Sequence, residues 1–261
     1  MTNSDTLRVT LIQTELVWED PTTNRECFSQ RLSTLKEDTD LIILPEMFTT
    51  GFTMNPENLA ERSDGESVRW MQEHAIKYKA AITGSVIIEE NGDYFNRLFF
   101  VFPDGSYEKY DKKHTFTLAG EDKVYQAGKD RLIVNYKGWR ICPLVCYDLR
   151  FPVWSRNTDN YDVLIYVANW PSKRVGAWDA LLKARAIENM SYAIGVNRIG
   201  SDGNDHPYSG HSAVYDALGE CISTSPFESD FMETISLERS HLKSHREHLQ
   251  FLQDRDHFTL T

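Results

Sequence analysis

Cys146 closes the apolar run Ile141-Cys142-Pro143-Leu144-Val145 and opens the polar turn Tyr147-Asp148-Leu149-Arg150. A cysteine at the C-terminal edge of a strand is well placed to face a pocket, and its thiolate is a nucleophile. Taken alone it also fits a small buried hydrophobe, the reading that suits Cys142, deeper in the run and ahead of a proline. A metal pair of Cys142 and Cys146 is disfavoured. No other Cys or His lies near in sequence, and four residues along a strand carry two side chains well apart.

Glu46 follows Leu41-Ile42-Ile43-Leu44-Pro45 in the same manner, which puts it just past a sheet edge, where open α/β sheets bind ligands. By itself it is equally an ordinary solvated loop glutamate. Tyr110-Asp111-Lys112-Lys113-His114, with Glu121 shortly after, reads in isolation as a polar, solvated connection. Only the company these groups keep changes that reading.

The elements that must position them are legible as apolar, β-rich runs. They are Leu7 to Leu16, Asp40 to Leu44, Ala80 to Ile88, Leu98 to Phe102, Leu132 to Cys146 broken at Lys137-Gly138, Val163 to Ala168, Ala193 to Asn197, and Ser212 to Tyr215. Several are continuous rather than alternating, the pattern of strands covered on both faces. Asp20-Pro21 predicts a capped helix carrying Phe28, Leu32 and Leu35, and Asp64 a second carrying Val68, Met71 and Ala75. A third, Gly176 to Met190, places Trp178, Leu181, Leu182, Arg185 and Ile187 mostly on one side. Phe102-Pro103-Asp104-Gly105-Ser106 has the chemistry of a hairpin turn. Helices outside layered sheets are the expected architecture. With no Ser/Gly/Pro linker, internal repeat or low-complexity tract, residues 1–261 are expected to form one domain.

Leu44-Pro45-Glu46-Met47-Phe48, then Tyr110-Asp111-Lys112-Lys113-His114, then Glu121 ahead of Gly128, then Val145-Cys146-Tyr147-Asp148-Leu149-Arg150-Phe151-Pro152 occur in that order. Together they resemble the nitrilase superfamily of carbon-nitrogen hydrolases. Ala168-Asn169-Trp170-Pro171, the helix segment Ala184 to Asn189 and Gly195-Val196-Asn197-Arg198 extend the resemblance over roughly Leu7 to Tyr215. The wording around Cys146 is similar to the omega-amidase branch.

The resemblance implies an α/β fold, a four-layer α-β-β-α sandwich dimerised through its helical outer layer. It also implies a Glu-Lys-Cys triad with a second Glu, which fall at Glu46, Lys112, Cys146 and Glu121. Lys112 is chosen over Lys113 because the family lysine stands two before the histidine, here His114. The sequence departs from the family's usual Lys-x-His-Leu-Phe with His114-Thr115-Phe116, a change in local pocket shape.

The implied chemistry is amide hydrolysis through a thioester. A cysteine near its reference pKa is only a few per cent ionised at neutral pH, so it needs a base, here Glu46. Lys112, with a backbone N–H near Tyr147, would stabilise the oxyanion. Glu121 would fix Lys112 or activate the deacylating water. Arg150 is the candidate clamp for a distal substrate carboxylate, or else one half of a structural salt bridge. Phe116 and Trp170 would wall the pocket. The expected reaction releases ammonia from a small dicarboxylic acid monoamide. The rival on the same scaffold is a nitrilase or an N-carbamoyl-amide hydrolase.

Composition narrows the rest. The chain carries 39 acidic against 28 basic residues, a net charge of -11, which disfavours general nucleic-acid or anionic-membrane binding. No signal peptide or membrane-length apolar stretch is visible, and four cysteines suit a reducing compartment, so a cytoplasmic protein is expected. No cofactor or metal is expected. His241, His245 and His248 could put two imidazoles on one helical face and suggest a metal-binding or interaction role, but neighbouring Arg239, Lys243 and Arg246 read as a solvated cationic face.

Overall fold

The computed structural model describes residues 4–259. The apolar runs become strands in chain order, interleaved with helices. The first half contains β1 (Thr6–Gln13), α1 (Pro21–Ser33), β2 (Leu41–Ile43), α2 (Pro56–Leu59), α3 (Glu66–Tyr78), β3 (Ala81–Glu90), β4 (Asp93–Val101) and β5 (Tyr107–Asp111). The second half contains β6 (Val134–Tyr136), β7 (Trp139–Val145), α4 (Pro152–Ser155), β8 (Val163–Val167), α5 (Val175–Asn189) and β9 (Tyr192–Val196). The short pair β10 (Ile199–Ser201) and β11 (Pro207–Ser209) follows, then β12 (Ala213–Tyr215), β13 (Phe231–Glu238) and α6 (Arg239–Leu249).

One sheet runs β13-β1-β2-β3-β4-β5 and the other β12-β9-β8-β7-β6. Each has three parallel central strands, β1-β2-β3 and β7-β8-β9, as in Val9 opposite Leu41 and Cys142 opposite Leu164. β4 and β5 are both antiparallel to their predecessors, so β5 points the same way as β2 and β3. The C-terminal ends of β2, β5, β7 and β8 are the edges at which Glu46, Lys112, Cys146 and Asn169 emerge.

Strand alternation sorts the core into layers. Leu7, Val9, Leu11, Leu41 and Ile43 share one core with β6 to β9 and with Trp178, Leu182 and Ala186 of α5. Ile12, Ile42, Ile82, Phe99 and Val101 turn the other way, under Phe28 and Leu32 of α1 and Val68, Met71 and Ala75 of α3. The result is the four-layer α-β-β-α sandwich. No helix among the described residues is long and apolar enough to cross a membrane.

Local signals decide the boundaries. Asp20 Oδ1 accepts from Thr23 N at 3.0 Å with Pro21 in the first turn, as expected. In the hairpin, Gly105 N donates to Phe102 O and Phe102 N to Ser106 O, with Gly105 at φ 83°. Three expectations need correction. The second helix is capped by Gly65 in an extended conformation, not by Asp64, whose carbonyl instead accepts from Arg69. The first helix ends at Ser33, so Leu35 lies beyond it. Ile187 is 43% exposed, and the buried stripe of α5 is Trp178, Leu182, Arg185, Ala186 and Asn189. The strands β10, β11 and β13 were not foreseen. β13 is a half-buried edge strand that mixes Glu, Thr and Ser with its apolar residues, so it lacks the continuous run that betrayed the central strands.

Gly195 of β9 lets α5 approach, because a Cβ there would overlap Leu182 and Trp178. Gly195→Ala is therefore expected to destabilise the protein by about 1–3 kcal/mol through overpacking. Denaturant unfolding measures it, and an unchanged midpoint would show that the helix has room to move.

Candidate active site

The ends of β2, β5 and β7 bring Glu46, Lys112 and Cys146 to one buried point, where a turn adds Glu121. Glu46 and Glu121 are fully buried and Lys112 is 1% exposed. Lys112 Nζ donates to Glu46 Oε1 at 2.8 Å and lies 2.9 Å from both oxygens of Glu121. Lys113 faces elsewhere, its ammonium 5.2 Å from the centre of the Trp154 ring. The backbone holds this register, since Lys112 N donates to Asn96 O and Gly128 N to Lys112 O. A side chain at Gly128 would collide with the Asp111 carbonyl, so glycine lets the two segments meet.

Each carboxylate is further pinned. Glu46 Oε2 accepts from Asn169 N at 2.8 Å, and Asn169 Nδ2 donates to the Glu46 carbonyl at 2.5 Å. Glu121 begins a 3-10 turn after Gly120, at φ 75°, and its Oε2 accepts from Phe116 N at 2.5 Å. Asn96 Nδ2 lies 2.8 Å from Glu46 Oε1 and 3.3 Å from Glu121 Oε1.

Cys146 opens the 3-10 turn Cys146–Arg150 at φ 44°, in left-handed space that a non-glycine residue enters at a cost of about 1–3 kcal/mol. The turn lifts its sulfur off the strand, and Sγ lies 4.0 Å from the Asn169 carbonyl. Burial pushes the Cys146 thiol well above its ordinary pKa, and Glu46 and Glu121 push it further, while Lys112 pulls it down. Burial alone would depress Lys112, yet Glu121 and Glu46 outweigh it and hold the ammonium above its ordinary value. Glu121 is raised by burial and by Glu46, against the pull of Lys112. The surroundings of Cys146 therefore favour its neutral thiol form.

A third carboxylate fixes this arrangement from behind. Asp148, fully buried, accepts from Tyr110 Oη at 2.7 Å and Val145 N at 3.0 Å through Oδ2. Its Oδ1 accepts from His114 N at 3.0 Å and lies 2.7 Å from His114 Nδ1. It ties the end of β5, and so Lys112, to the turn that carries Cys146. His114 also stacks on Phe151, with ring centres 3.6 Å apart and planes within 5°.

These groups open into a cavity of about 580 Å³ lined by Lys112, Cys146, Phe116, Tyr147, Arg150 and Trp170, with Lys173, Arg174 and the segment from Asp202 to Tyr208 around it. All four residues expected to bind substrate therefore reach the same space. The Arg150 guanidinium lies 4.8 Å over the Trp170 ring and has no carboxylate partner among the described residues. The alternative of a structural salt bridge is not seen. Arg174 stacks similarly on Phe116 at 5.0 Å. The carboxylates of the lining are engaged: Asp202 accepts from Asn204 N, His206 N and Tyr208 Oη, and Glu19 from Thr53 and Asn55.

Sequence reasoning missed Asn96, Asp148 and the Asp202–Tyr208 wall. A polar residue entering the apolar run of β4 was the available signal for Asn96, and a carboxylate two after the cysteine that for Asp148. His241 Nε2 lies 3.0 Å from Asp216 and its ring 4.4 Å from that of His245, on the surface of α6. No group of three or more potential metal ligands gathers among the described residues.

The carbon-nitrogen hydrolase family profile matches residues 8–244. The omega-amidase YafV of Yersinia enterocolitica is 45% identical over 257 residues, 98% of this chain and 99% of that one. The 2-oxoglutaramate amidase of Bacillus subtilis (strain 168) is 34% identical over 189 residues, 70% of this chain and 73% of that one. Among solved structures, XC1258 from Xanthomonas campestris, a CN-hydrolase superfamily protein, superposes with a TM-score of 0.95 at 43% identity, covering 99% of this chain and 100% of that one.

Asp148→Asn keeps the shape but turns an amide N–H₂ toward donors, leaving at least one of them unsatisfied. The expected cost is about 2–4 kcal/mol of stability together with a fall in kcat, because Lys112 and the Cys146 turn lose their common anchor. Thermal melting and turnover measure both, and wild-type values for each would show that the anchor is dispensable.

Proposed function

Because this chain belongs to the carbon-nitrogen hydrolase family, we propose that it hydrolyses the terminal amide of small dicarboxylic acid monoamides of the 2-oxoglutaramate and 2-oxosuccinamate type. The products are the dicarboxylic acid and ammonia, formed through a Cys146 thioester. The observation that carries this reading is the Arg150 guanidinium, stacked on Trp170 without an acidic partner among the described residues, in the cavity that holds Cys146. The names of the omega-amidase and 2-oxoglutaramate amidase relatives support the same substrate class.

In the proposed mechanism Glu46 takes the Sγ proton as sulfur attacks the amide carbon. The carbonyl oxygen becomes an oxyanion, held by the Lys112 ammonium and the Tyr147 N–H. With the two Glu121 oxygens sharing one N–H and Glu46 taking a second, the third ammonium donor serves that oxygen. Such a donor is worth on the order of 3 kcal/mol in the transition state. The C–N bond then breaks, Glu46 delivers the proton to nitrogen, and ammonia leaves. Water attacks the thioester, a carboxylate takes its proton, and the C–S bond breaks to return the thiol. The bidentate approach of Glu121 to Lys112 and its bond to Phe116 N favour an anchoring role for Glu121.

Arg150 grips the distal carboxylate with charge-assisted hydrogen bonds, while Phe116, Tyr147 and Trp170 wall the carbon chain. Lys173 and Arg174 place further cationic groups around the same space. A homodimer through the helical outer layer fits the exposed Ile187 of α5 and Val153 of α4. Four free cysteines suit a reducing, cytoplasmic setting.

Ammonia release across a panel of 2-oxo acid amides, neutral short amides, nitriles and carbamoyl amino acids tests the proposal, with Cys146→Ala expected to be inactive. Arg150→Met is expected to cost about 2–4 kcal/mol, or roughly thirtyfold to a thousandfold in kcat/KM, on carboxylate-bearing amides only. Equal losses on charged and neutral amides would return Arg150 to a structural role. A wild type that prefers nitriles or carbamoyl amino acids would overturn the amidase reading.

A further inference from the structure

Asn96 touches three of the four reactive residues and belongs to none of the motifs. It sits on β4 opposite Ile87, one position before the pairing of Arg97 with Asp111, and is 1% exposed. Its backbone carbonyl accepts from Lys112 N at 3.0 Å. Its side-chain Nδ2 reaches Glu46 Oε1 at 2.8 Å and Glu121 Oε1 at 3.3 Å. The orientation of the amide is forced, because Oδ1 in that place would face two anionic oxygens. That Oδ1 has no partner among the described residues, so the side chain is retained for its two donors and not for its acceptor.

The electrostatic problem it meets is specific. Two carboxylates and one ammonium leave the chamber one negative charge in excess, away from water. Lys112 and the Cys146 thiol face the pair from the ends of β5 and β7, and the buried Tyr125 phenol from the segment after Glu121. Lys112 is the sole cation among these groups. Burial and the second carboxylate raise Glu121. A neutral donor bridging the two carboxylates favours their charged forms without adding a charge that would compete with Lys112 for the substrate oxygen.

We propose that Asn96 is a positioning residue that holds Glu46 and Glu121 ionised together and so sets the acid limit of catalysis. This rests on the reading of Glu46 as the base. The sign follows from the bonds. They favour the carboxylate form, so their loss moves the acid limb of kcat/KM upward.

The test is the pH profile of kcat/KM for ammonia release in wild type, Asn96→Leu, Asn96→Asp and Glu46→Gln. Hydrogen bonds to charged groups, shared over two carboxylates, give an expected upward shift of about one pH unit in Asn96→Leu, with the high-pH plateau kept within roughly tenfold of wild type. Asn96→Asp has the native shape, so it carries the test should the leucine variant fold poorly. A third carboxylate there is expected to move the limb further. A uniform fall with the limb in its wild-type place in both variants, or no change in either, overturns the proposal while Glu46→Gln remains inactive. Wild-type activity in Glu46→Gln would instead overturn the reading of the base, and this inference with it.

Discussion

A lysine ammonium sealed from water between two carboxylates is the constraint on which the rest of the structure depends. Removing each of these ions from water costs several kcal/mol, and one buried partner at about 3 Å returns an amount of the same order. Lys112 has two such partners, at 2.8 and 2.9 Å, which is why its proton is held more firmly than in water. The three groups come from three separate segments, after β2, after β5 and in the turn at Glu121. The geometry therefore requires both the parallel order that aligns the strand ends and the backbone bonds through Asn96, Phe116 and Asn169 that fix each side chain.

The second sheet has to meet this chamber with a thiol. The positive φ of Cys146 and the Asp148 bonds to Tyr110, Val145 and His114 join the two sheets at their shared edge. The ammonium favours a thiolate, but burial and the two carboxylates outweigh it at Cys146. In the proposed mechanism the thiol is neutral at rest and its ionisation is coupled to attack, when the negative charge moves from sulfur to the substrate oxygen beside Lys112.

Much of this was legible in the residues. The continuous runs Leu41 to Leu44 and Val163 to Val167 announce strands covered on both faces, and the ordered motifs single out Glu46, Lys112, Glu121 and Cys146, which the structure brings together. What escaped depends on tertiary partners. Asn96 and Asp148 act through hydrogen bonds to residues up to 50 positions away, which no local pattern encodes. Ile187 has the spacing of a core residue but lies on the outer surface, since periodicity finds a helix face without saying where the stripe ends. β13 is recognisable only once β1 is there to pair with it.

The central claim is that Cys146 is a neutral thiol at rest because burial and the charges of Glu46 and Glu121 outweigh the pull of Lys112. Thiolate absorbance at about 240 nm, taken as the difference between wild type and Cys146→Ala, reads that charge state directly as pH is raised from about 6 to about 9. The account predicts no difference signal across that range in the free enzyme. A thiolate step belonging to Cys146 at or below neutral pH would contradict it.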